Sequence, residues 1–303
     1  MDYSAFEHAY EGIIAALKKS EVITILPTSK VLGVIGIDGK EYPAPTCHQV
    51  GEILIHNSSY IEKKMQQGFT RLQITPIADP ASKLIDCVTS SLIKHATEGK
   101  LYQTRHSESS VDVAVQLNKK EAVWMWARLQ SILDTNHLVY FPKQYSPDHH
   151  QGLTKHEAMH DTQLCAVPGW SVGLIEPITV MPQPGRGKIL AGRKQLEGLL
   201  HPREFLQILN STPYQGETGW VLEDFLTYFI TQLETTNQVS HDRTDSNALW
   251  LLGTYVPDLE RTPNLVLVGY WSRDVGRKLY LTSHRTGNRL KMCVARSMVR
   301  LSP

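Results

Sequence analysis

The chain ends with the segment YWSRDVGRKLYLTSHRTGNRLKMCVARSMVRLSP, residues 270–303, in which short apolar runs alternate with polar ones. Apolar runs of this length, separated by Gly, Ser, Thr and Asn, predict strands joined by exposed loops. The segment holds eight Lys and Arg residues against the single acid Asp274, whereas the whole chain has a formal net charge of +1. Because charge is segregated in this way, we predict an interaction face here. The alternative to an interaction face is that these charges only protect the edge of a hairpin from aggregation.

Length and composition predict a globular protein. The 303 residues are 41% hydrophobic and 20% charged, which is enough to bury a large core in one or two domains. We expect no membrane span, because the sequence contains no apolar run of the roughly 18 residues that a span needs. Residues 1–4 lack the basic and apolar regions of a secretory signal. We therefore expect a cytoplasmic protein or one exported by a route other than Sec.

The four cysteines, Cys47, Cys87, Cys165 and Cys293, are far apart in the sequence and form no C-x-x-C pair. This spacing predicts unbridged thiols in a reduced compartment and excludes a zinc ribbon.

The pattern of elements predicts an α+β fold. Residues 1–145 form a mixed N-terminal α+β region of unknown function, and residues 146–303 form a second domain after a Pro-rich stretch. Asp38-Gly39 is typical of a tight hairpin turn between strands. Apolar residues at helical spacing predict helices at 4–19, 46–54, 59–67, 82–98, 119–133, 203–209 and 222–234, and a short helix from Lys155. Strand patterning predicts strands at 22–26, 31–37, 71–77, 138–141 and 172–180, and further strands from Leu249.

Residues 156–160, HEAMH, fit the H-E-x-x-H pattern of zinc hydrolases, in which two imidazoles at i and i+4 hold one metal ion. Thr154 and Glu157 also fit a capping box, which gives Glu157 an ordinary role at a helix start. Glu176 is the nearest candidate for a third ligand, but it belongs to an apolar strand. We expect no metal and no cofactor, and a zinc-dependent hydrolase remains an alternative.

Other candidate catalytic features are weak. Residues 184–194 hold glycines and basic residues that could cradle a phosphate, but the Walker spacing is missing. Glu223 and Asp224 fall in the first turn of a predicted helix, where acids favour the helix dipole. We predict no catalytic residue.

Short motifs along most of the chain resemble uncharacterised proteins of ultrasmall uncultivated bacteria. The ending, with GYWSRD at 269–274 and ARSMVRL at 295–301, is similar to the variable proteins of diversity-generating retroelements. The other motifs are QGFT at 67–70, GLTK at 152–155, PGWSV at 168–172, GRKQLE at 192–197, GETGW at 216–220, LETTN at 233–237 and LLGTYVP at 251–257.

The resemblance implies that residues 146–303 adopt a C-type-lectin-like fold. It also implies that some codons are rewritten by a template-directed reverse transcriptase that mutates adenines. The Gly-Ala-Arg-Ser-Ala motif expected before the last strand is replaced by VARSM at 294–298. Lys291 and Met292 cannot come from fully diversified codons ending in a pyrimidine, so they are fixed or outside the mutated set.

The resemblance also implies how the ending divides into a fixed frame and a changeable surface. The frame residues are Tyr270, Trp271, Tyr280, Arg296 and Val299. The residues expected to project from one face and bind ligand are Ser272, Asp274, Val275, Thr282, Ser283, His284, Arg285, Thr286, Asn288 and Leu290. Loops on a rigid framework tolerate such substitution, and we expect Arg285 and His284 to be the anchors.

We therefore predict a non-enzymatic protein that binds a protein or another macromolecule through its C-terminal surface. Nucleic-acid binding is the first alternative, because Tyr270, Trp271 and Tyr280 are interleaved with basic residues that could contact phosphates.

Overall fold

The computed structural model describes residues 3–105, 111–178, 180–257 and 264–303. The chain begins with the amphipathic helix α1 (Tyr3–Lys19), as the sequence predicts. A small antiparallel sheet follows, in the order β1 (Thr24–Ile25), β2 (Leu32–Ile35), β3 (Glu41–Pro43). Asp38 and Gly39 form the predicted turn between β2 and β3, and Gly39 has the positive φ of +75° that favours glycine.

The remaining elements agree with an α+β fold. The helices are α2 (Cys47–His56), α3 (Ser58–Gln66), α4 (Ala81–Thr97), α5 (Ala127–Ile132), α6 (Lys155–Ala158), α7 (Pro202–Leu209) and α8 (Leu222–Thr236). The strands are β4 (Arg71–Pro76), β5 (Tyr102–Arg105), β6 (Val111–Ala114), β7 (Val123–Met125), β8 (Val139–Tyr140), β9 (Trp170–Ile175), β10 (Ile189–Leu190), β11 (Arg193–Lys194), β12 (Glu217–Gly219), β13 (Ala248–Val256), β14 (Leu265–Ser272), β15 (Lys278–Arg285), β16 (Cys293–Ala295) and β17 (Ser297–Arg300).

A four-stranded antiparallel sheet joins the two halves of the chain, in the order β12-β17-β9-β4. The final strand β17 lies between β12 and β9. Gly173 of β9 permits the close approach of β17, because a Cβ atom there would lie 2.3 Å from the carbonyl oxygen of Val299.

A six-stranded sheet presents the chain's ending. Its main path is β16-β13-β14-β15-β7, and β8 pairs with the far end of β13. The long strands β13, β14 and β15 are antiparallel, while β16 and β7 join in parallel. The ending therefore forms a long hairpin, β14–β15, in the middle of a sheet.

Helix α8 packs between the sheets and fills the core. Its side chains Phe225, Phe229 and Leu233 are fully buried. The hydrophobic core is continuous and includes residues from both halves of the chain. β4, β7 and β8 come from the N-terminal half yet pair with C-terminal strands. The predicted boundary between residues 145 and 146 therefore does not coincide with a gap between sheets.

The predicted helix 119–133 is wrong in its first part. Residues Val123–Met125 instead form β7, which hydrogen-bonds in parallel to β15, and the helix is limited to Ala127–Ile132. The hairpin β5–β6 is a further addition to the predicted elements. All four cysteines are free. Among the described residues, no helix combines the length and the hydrophobicity that crossing a bilayer requires.

Candidate functional site

The β14–β15 hairpin has one face toward the core and one face away from α8. Leu279 and Leu281 of β15 are buried on the core side. Gly269, paired with Leu281, lies against α8, since a Cβ atom there would lie 2.5 Å from the ring of Phe225. The alternate residues of β15 point to the opposite, outer face. They are Lys278, Tyr280, Thr282 and His284.

An aromatic row crosses this outer face. The rings of Tyr270 and Tyr280 stack with centroids 5.1 Å apart and planes at 8°, and Trp124 of β7 lies 5.4 Å from Tyr280. The guanidinium of Arg243 lies 5.8 Å from the centre of the Tyr270 ring, and the Nζ of Lys278 lies 5.4 Å from that of Tyr280. Tyr270 is buried, whereas Tyr280 and Trp124 are half-buried and offer apolar contact area to a ligand.

Thr282 and His284 continue the outer face beyond this row. Both are half-buried, and His284 packs edge-on against Trp250 with centroids 6.0 Å apart. Burial, and secondarily the positive charge of Arg243, lowers the pKa of His284 below its ordinary value of 6.5. His284 is therefore neutral at physiological pH, so it contributes a hydrogen-bonding ring and no charge.

The turn between β14 and β15 forms one end of the surface. Asp274 and Val275 are exposed, and Val275 has 60% of its surface accessible. Thr244 donates a hydrogen bond to Asp274 over 3.0 Å. The prediction for Ser272 is wrong, because this residue is buried and its Oγ accepts a hydrogen bond from the Val275 amide over 3.3 Å.

The last residue of β15 and the segment after it form the other end, about 25 Å away if each strand residue rises about 3.3 Å. Arg285 is exposed, and Asn288 is half-buried with its amide donating to the Arg285 carbonyl over 2.9 Å. The prediction for Thr286 is wrong because it is only 1% exposed. Its amide donates to the Asn264 carbonyl over 2.9 Å, and its Oγ1 accepts from Arg203 Nε over 3.0 Å.

Ser283 and Leu290 do not belong to the outer face. Ser283 is half-buried and alternates with Thr282 and His284, so it points to the other side of the sheet. Leu290 is half-buried and packs against the hydrophobic core. The structure thus groups six of the ten predicted residues in two loops and one sheet face, which we call the candidate surface: Asp274, Val275, Thr282, His284, Arg285 and Asn288.

The predicted frame residues are mostly interior. Trp271 and Val299 are fully buried, and Arg296 is 5% exposed. The Arg296 guanidinium lies 5.5 Å from the ring centres of both Trp220 and Tyr228 and donates to the Glu176 carbonyl over 3.4 Å. Tyr280 differs, because it is half-buried and belongs to the outer aromatic row. Trp124 and Arg243 lie far from the ending in sequence, and no local signal links them to this surface.

The HEAMH motif starts a one-turn helix, as its capping signal predicts. The Thr154 amide donates to Glu157 Oε2 over 2.8 Å, and the Glu157 amide donates to Thr154 Oγ1 over 3.2 Å. Glu176 is not a third metal ligand. It is buried and accepts hydrogen bonds from Arg193 Nη2 over 3.2 Å and from Gln195 Nε2 over 3.1 Å.

The other candidate catalytic groups are held in buried ion pairs. Arg193, from the possible phosphate loop, is fully buried and binds Glu217 through two bonds of 2.7 and 2.9 Å. Glu223 lies 2.9 Å from Lys155 Nζ and accepts from Tyr140, and Asp224 pairs with Arg300. These contacts stabilise the interior and leave the charges out of reach of a ligand.

Comparison with known proteins gives no match: no protein-family model, no curated protein and no solved structure matches the chain.

Proposed function

We propose that this protein is a non-enzymatic binding protein, a variable protein of a diversity-generating retroelement. Its C-terminal part, with a C-type-lectin-like fold, recognises a protein or another macromolecule through the candidate surface. One observation supports this most directly: within the same hairpin, strand side chains such as Trp271 and Leu281 are buried, whereas Val275 in the turn and Arg285 at the end of β15 are exposed. Side chains with little part in the core can change without loss of the fold.

The composition of the candidate surface suits macromolecular recognition. Binding energy at such surfaces is concentrated in a few arginine and aromatic residues. Arg285 is exposed at the end of β15, and the half-buried rings of Tyr280 and Trp124 lie beside Thr282 and His284. An exposed Val275 at the tip of the turn adds an apolar contact. Arg285 and the aromatic row are therefore the anchors that we propose.

Nucleic-acid binding is less well supported, because most of the basic residues in the ending are already engaged. Arg296 and Arg300 are buried, Arg289 pairs with Glu204 at 3.0 Å, and Lys278 pairs with Glu121. Arg273 lies 3.7 Å from Asp242. The net charge of the segment therefore exceeds the charge that it offers to phosphates. Binding to DNA or RNA that weakens steeply with added salt would favour this alternative over ours.

The DNA that flanks the gene tests the proposal. We expect a reverse-transcriptase gene and a second copy of the 3′ coding segment, with the differences between the copies at template adenines. The differences should fall in codons of the candidate surface, such as those for Asp274, Val275 and Arg285. The codons for the buried residues Leu281, Thr286 and Val299 should agree. If there is no template copy, or if differences affect buried and exposed codons alike, the proposal fails.

A further inference from the structure

Asp38 of the β2–β3 turn and two histidines of the HEAMH motif lie together on the surface. Potential ligand atoms of Asp38, His156 and His160 all lie within 4.8 Å of one another. Both histidines are exposed, and Asp38 is half-buried. Among the described residues, this is the one group of three or more His, Cys, Asp or Glu side chains placed to share an ion. Asp38 belongs to an element far from the motif in sequence.

The segment that presents the two histidines, α6 and the turn after it, is firmly anchored. Lys155, beside His156, is 1% exposed and lies 3.1 Å from Asp134 and 2.9 Å from Glu223. Its Nζ also donates to the Asp79 carbonyl over 2.7 Å. Ala158 and Met159 are fully buried on the same turn. The backbone of the motif is therefore fixed, and its two imidazoles point outward at the i and i+4 spacing that suits one metal ion.

Hydrogen bonds to neighbouring groups orient the Asp38 and His160 side chains. His160 Nδ1 lies 2.8 Å from the His156 carbonyl oxygen, which can only accept. Nδ1 therefore donates its proton to that oxygen, which leaves Nε2 as the ring atom available to a metal ion. Asp38 Oδ1 accepts from the Lys40 amide over 3.1 Å, and Oδ2 accepts from the Tyr42 hydroxyl over 2.9 Å.

The Tyr42 hydroxyl lies between the two ligands. It is 2.9 Å from Asp38 Oδ2 and 3.2 Å from His160 Nε2, but it has a single proton to donate. That proton goes to the nearer acceptor, Asp38 Oδ2, so the hydroxyl does not donate to His160 Nε2. The Tyr42 ring is buried, and a Cβ atom at Gly36 or Gly169 would lie 2.5 Å from it, so its hydroxyl holds Asp38 in a fixed position. A metal ion beside Asp38 would take the place of the exposed Lys40 ammonium, whose Nζ lies 3.3 Å from Asp38 Oδ2, and would give Nε2 a partner.

We propose that Asp38, His156 and His160 bind a divalent transition-metal ion, with Zn²⁺ as the best fit, and thereby link the β2–β3 turn to α6. Two imidazole nitrogens and one carboxylate oxygen form a common zinc ligand set, with a fourth position left for water. Ligand atoms around tetrahedral zinc lie about 3.4 Å apart for bonds of about 2.05 Å. The exposed side chain of His156 can rotate to reach that spacing.

The proposed site binds metal but lacks the base of a zinc hydrolase. Glu157 would activate water in an H-E-x-x-H enzyme, but here its carboxylate accepts hydrogen bonds from the Thr154 amide and hydroxyl over 2.8 and 2.9 Å. The metal ion would stabilise the contact between two elements that are distant in the chain. The inference does not depend on the proposed function of the candidate surface.

Calorimetric titration of untagged, chelator-treated protein with ZnCl₂ tests the inference. We expect one Zn²⁺ per chain, and a loss of affinity of at least about tenfold in each of Asp38→Asn, His156→Ala and His160→Ala. Asp38→Asn keeps an acceptor for Tyr42, so its folding should be unchanged. Three substitutions serve as matched controls and should bind zinc as the wild type does. Glu157→Gln changes the same motif, His149→Ala removes an exposed histidine, and Cys47→Ser removes a partly exposed thiol.

Thermal unfolding gives a second measurement on the same proteins. Zinc at about a hundred times the wild-type Kd should raise the Tm of the wild type by about 3–5 °C and that of Asp38→Asn by about half as much or less. Cobalt(II) should give an intense visible absorption band typical of tetrahedral coordination in the wild type only. The inference is overturned if the wild type binds zinc no more tightly than His156→Ala, or if Asp38→Asn retains full affinity.

Discussion

Three hydroxyl-bearing residues of the C-terminal hairpin have different surroundings. Ser272 and Thr286 are buried and accept hydrogen bonds, whereas Thr282 is half-buried on the outer face. Thr286 holds Arg203 of α7 against the end of β15 through its Oγ1 and main chain. The two hydrogen bonds between Thr286 and Arg203 therefore stabilise the frame, each by roughly the net amount of an ordinary hydrogen bond.

Thr286→Val removes this acceptor with almost no change in volume. We expect a loss of about 0.5–1.5 kcal/mol in the free energy of unfolding, because the hydrogen bond between Arg203 Nε and Thr286 Oγ1 is lost. Thr282→Val is the matched control on the same strand and should change stability by less than about 0.5 kcal/mol. Urea denaturation of the three proteins gives the comparison. Equal effects of the two substitutions would contradict the assignment of Thr286 to the frame.

Asp79 is a buried carboxyl with an unusual pKa. It is 0% exposed and lies 2.9 Å from Lys83. Burial, opposed in part by Lys83, raises the pKa of Asp79 to about 6. Because the folded pKa exceeds the unfolded one, the native state binds more protons between about pH 4 and 6. The contribution of Asp79 to stability is therefore present at low pH and is lost as the pH rises through about 6.

Asp79→Asn should remove this dependence. The stability of the variant relative to the wild type should improve by about 2–3 kcal/mol between pH 3.5 and pH 7.5, since each pKa unit is worth about 1.4 kcal/mol. Subtracting the two curves cancels the titration of groups common to both proteins. Unfolding free energies from urea titrations at several pH values provide the measurement, and a difference that stays constant with pH would refute the prediction.

At the scale of elements, the contact between α8 and β14 sets the position of the hairpin. Gly269 lets Phe225 approach the sheet, because a Cβ atom at residue 269 would lie 2.5 Å from that ring. Gly269→Ala should therefore destabilise the protein by about 1–3 kcal/mol through overpacking.

Gly12→Ala provides the opposite control. Gly12 lies inside α1, with no atom within 4 Å of an added Cβ, so alanine should stabilise the protein by about 0.5–1 kcal/mol. Thermal and urea unfolding distinguish the two. If Gly269→Ala is as harmless as Gly12→Ala, then the described packing of α8 against the hairpin is incorrect.

The sequence predicted elements well where the signal is local. The capping box at Thr154 and Glu157 and the turn at Asp38-Gly39 depend only on neighbouring residues, and both are present. The prediction failed at residues 119–125, where apolar spacing suggested a helix. Hydrogen bonds to the distant strand β15 instead impose the strand Val123–Met125. Non-local pairing of this kind has no signature within a short window of sequence.

At the scale of the whole molecule, the candidate site depends on packing that a linear sequence does not reveal. The sequence indicated which residues of the ending are polar, but partners such as Arg203 and Asn264 decide that Thr286 is buried. Trp124 reaches the aromatic row only through the parallel pairing of β7 with β15. Asp38 joins His156 and His160 for the same reason, because the two elements meet only in the folded chain.

The proposed function requires that the frame be stable independently of the residues that it displays. On the core side of the hairpin, Leu279 and Leu281 are buried, and Gly269 packs against Phe225 of α8. The exposed residues of the two loops, Asp274, Val275 and Arg285, and the half-buried Asn288 contribute little buried area. Replacing them together should therefore leave the core unchanged, whereas replacing one core residue of the same hairpin should not.

The decisive measurement is the free energy of unfolding of a quadruple variant, Asp274→Ala, Val275→Ser, Arg285→Ala and Asn288→Ala, by urea denaturation. We expect it to lie within about 1 kcal/mol of the wild type, because these substitutions remove little buried surface. Leu281→Ala, on the core side of β15 and 1% exposed, should alone cost about 2–5 kcal/mol. A quadruple variant that loses as much stability as Leu281→Ala would contradict a fixed frame with an exchangeable surface.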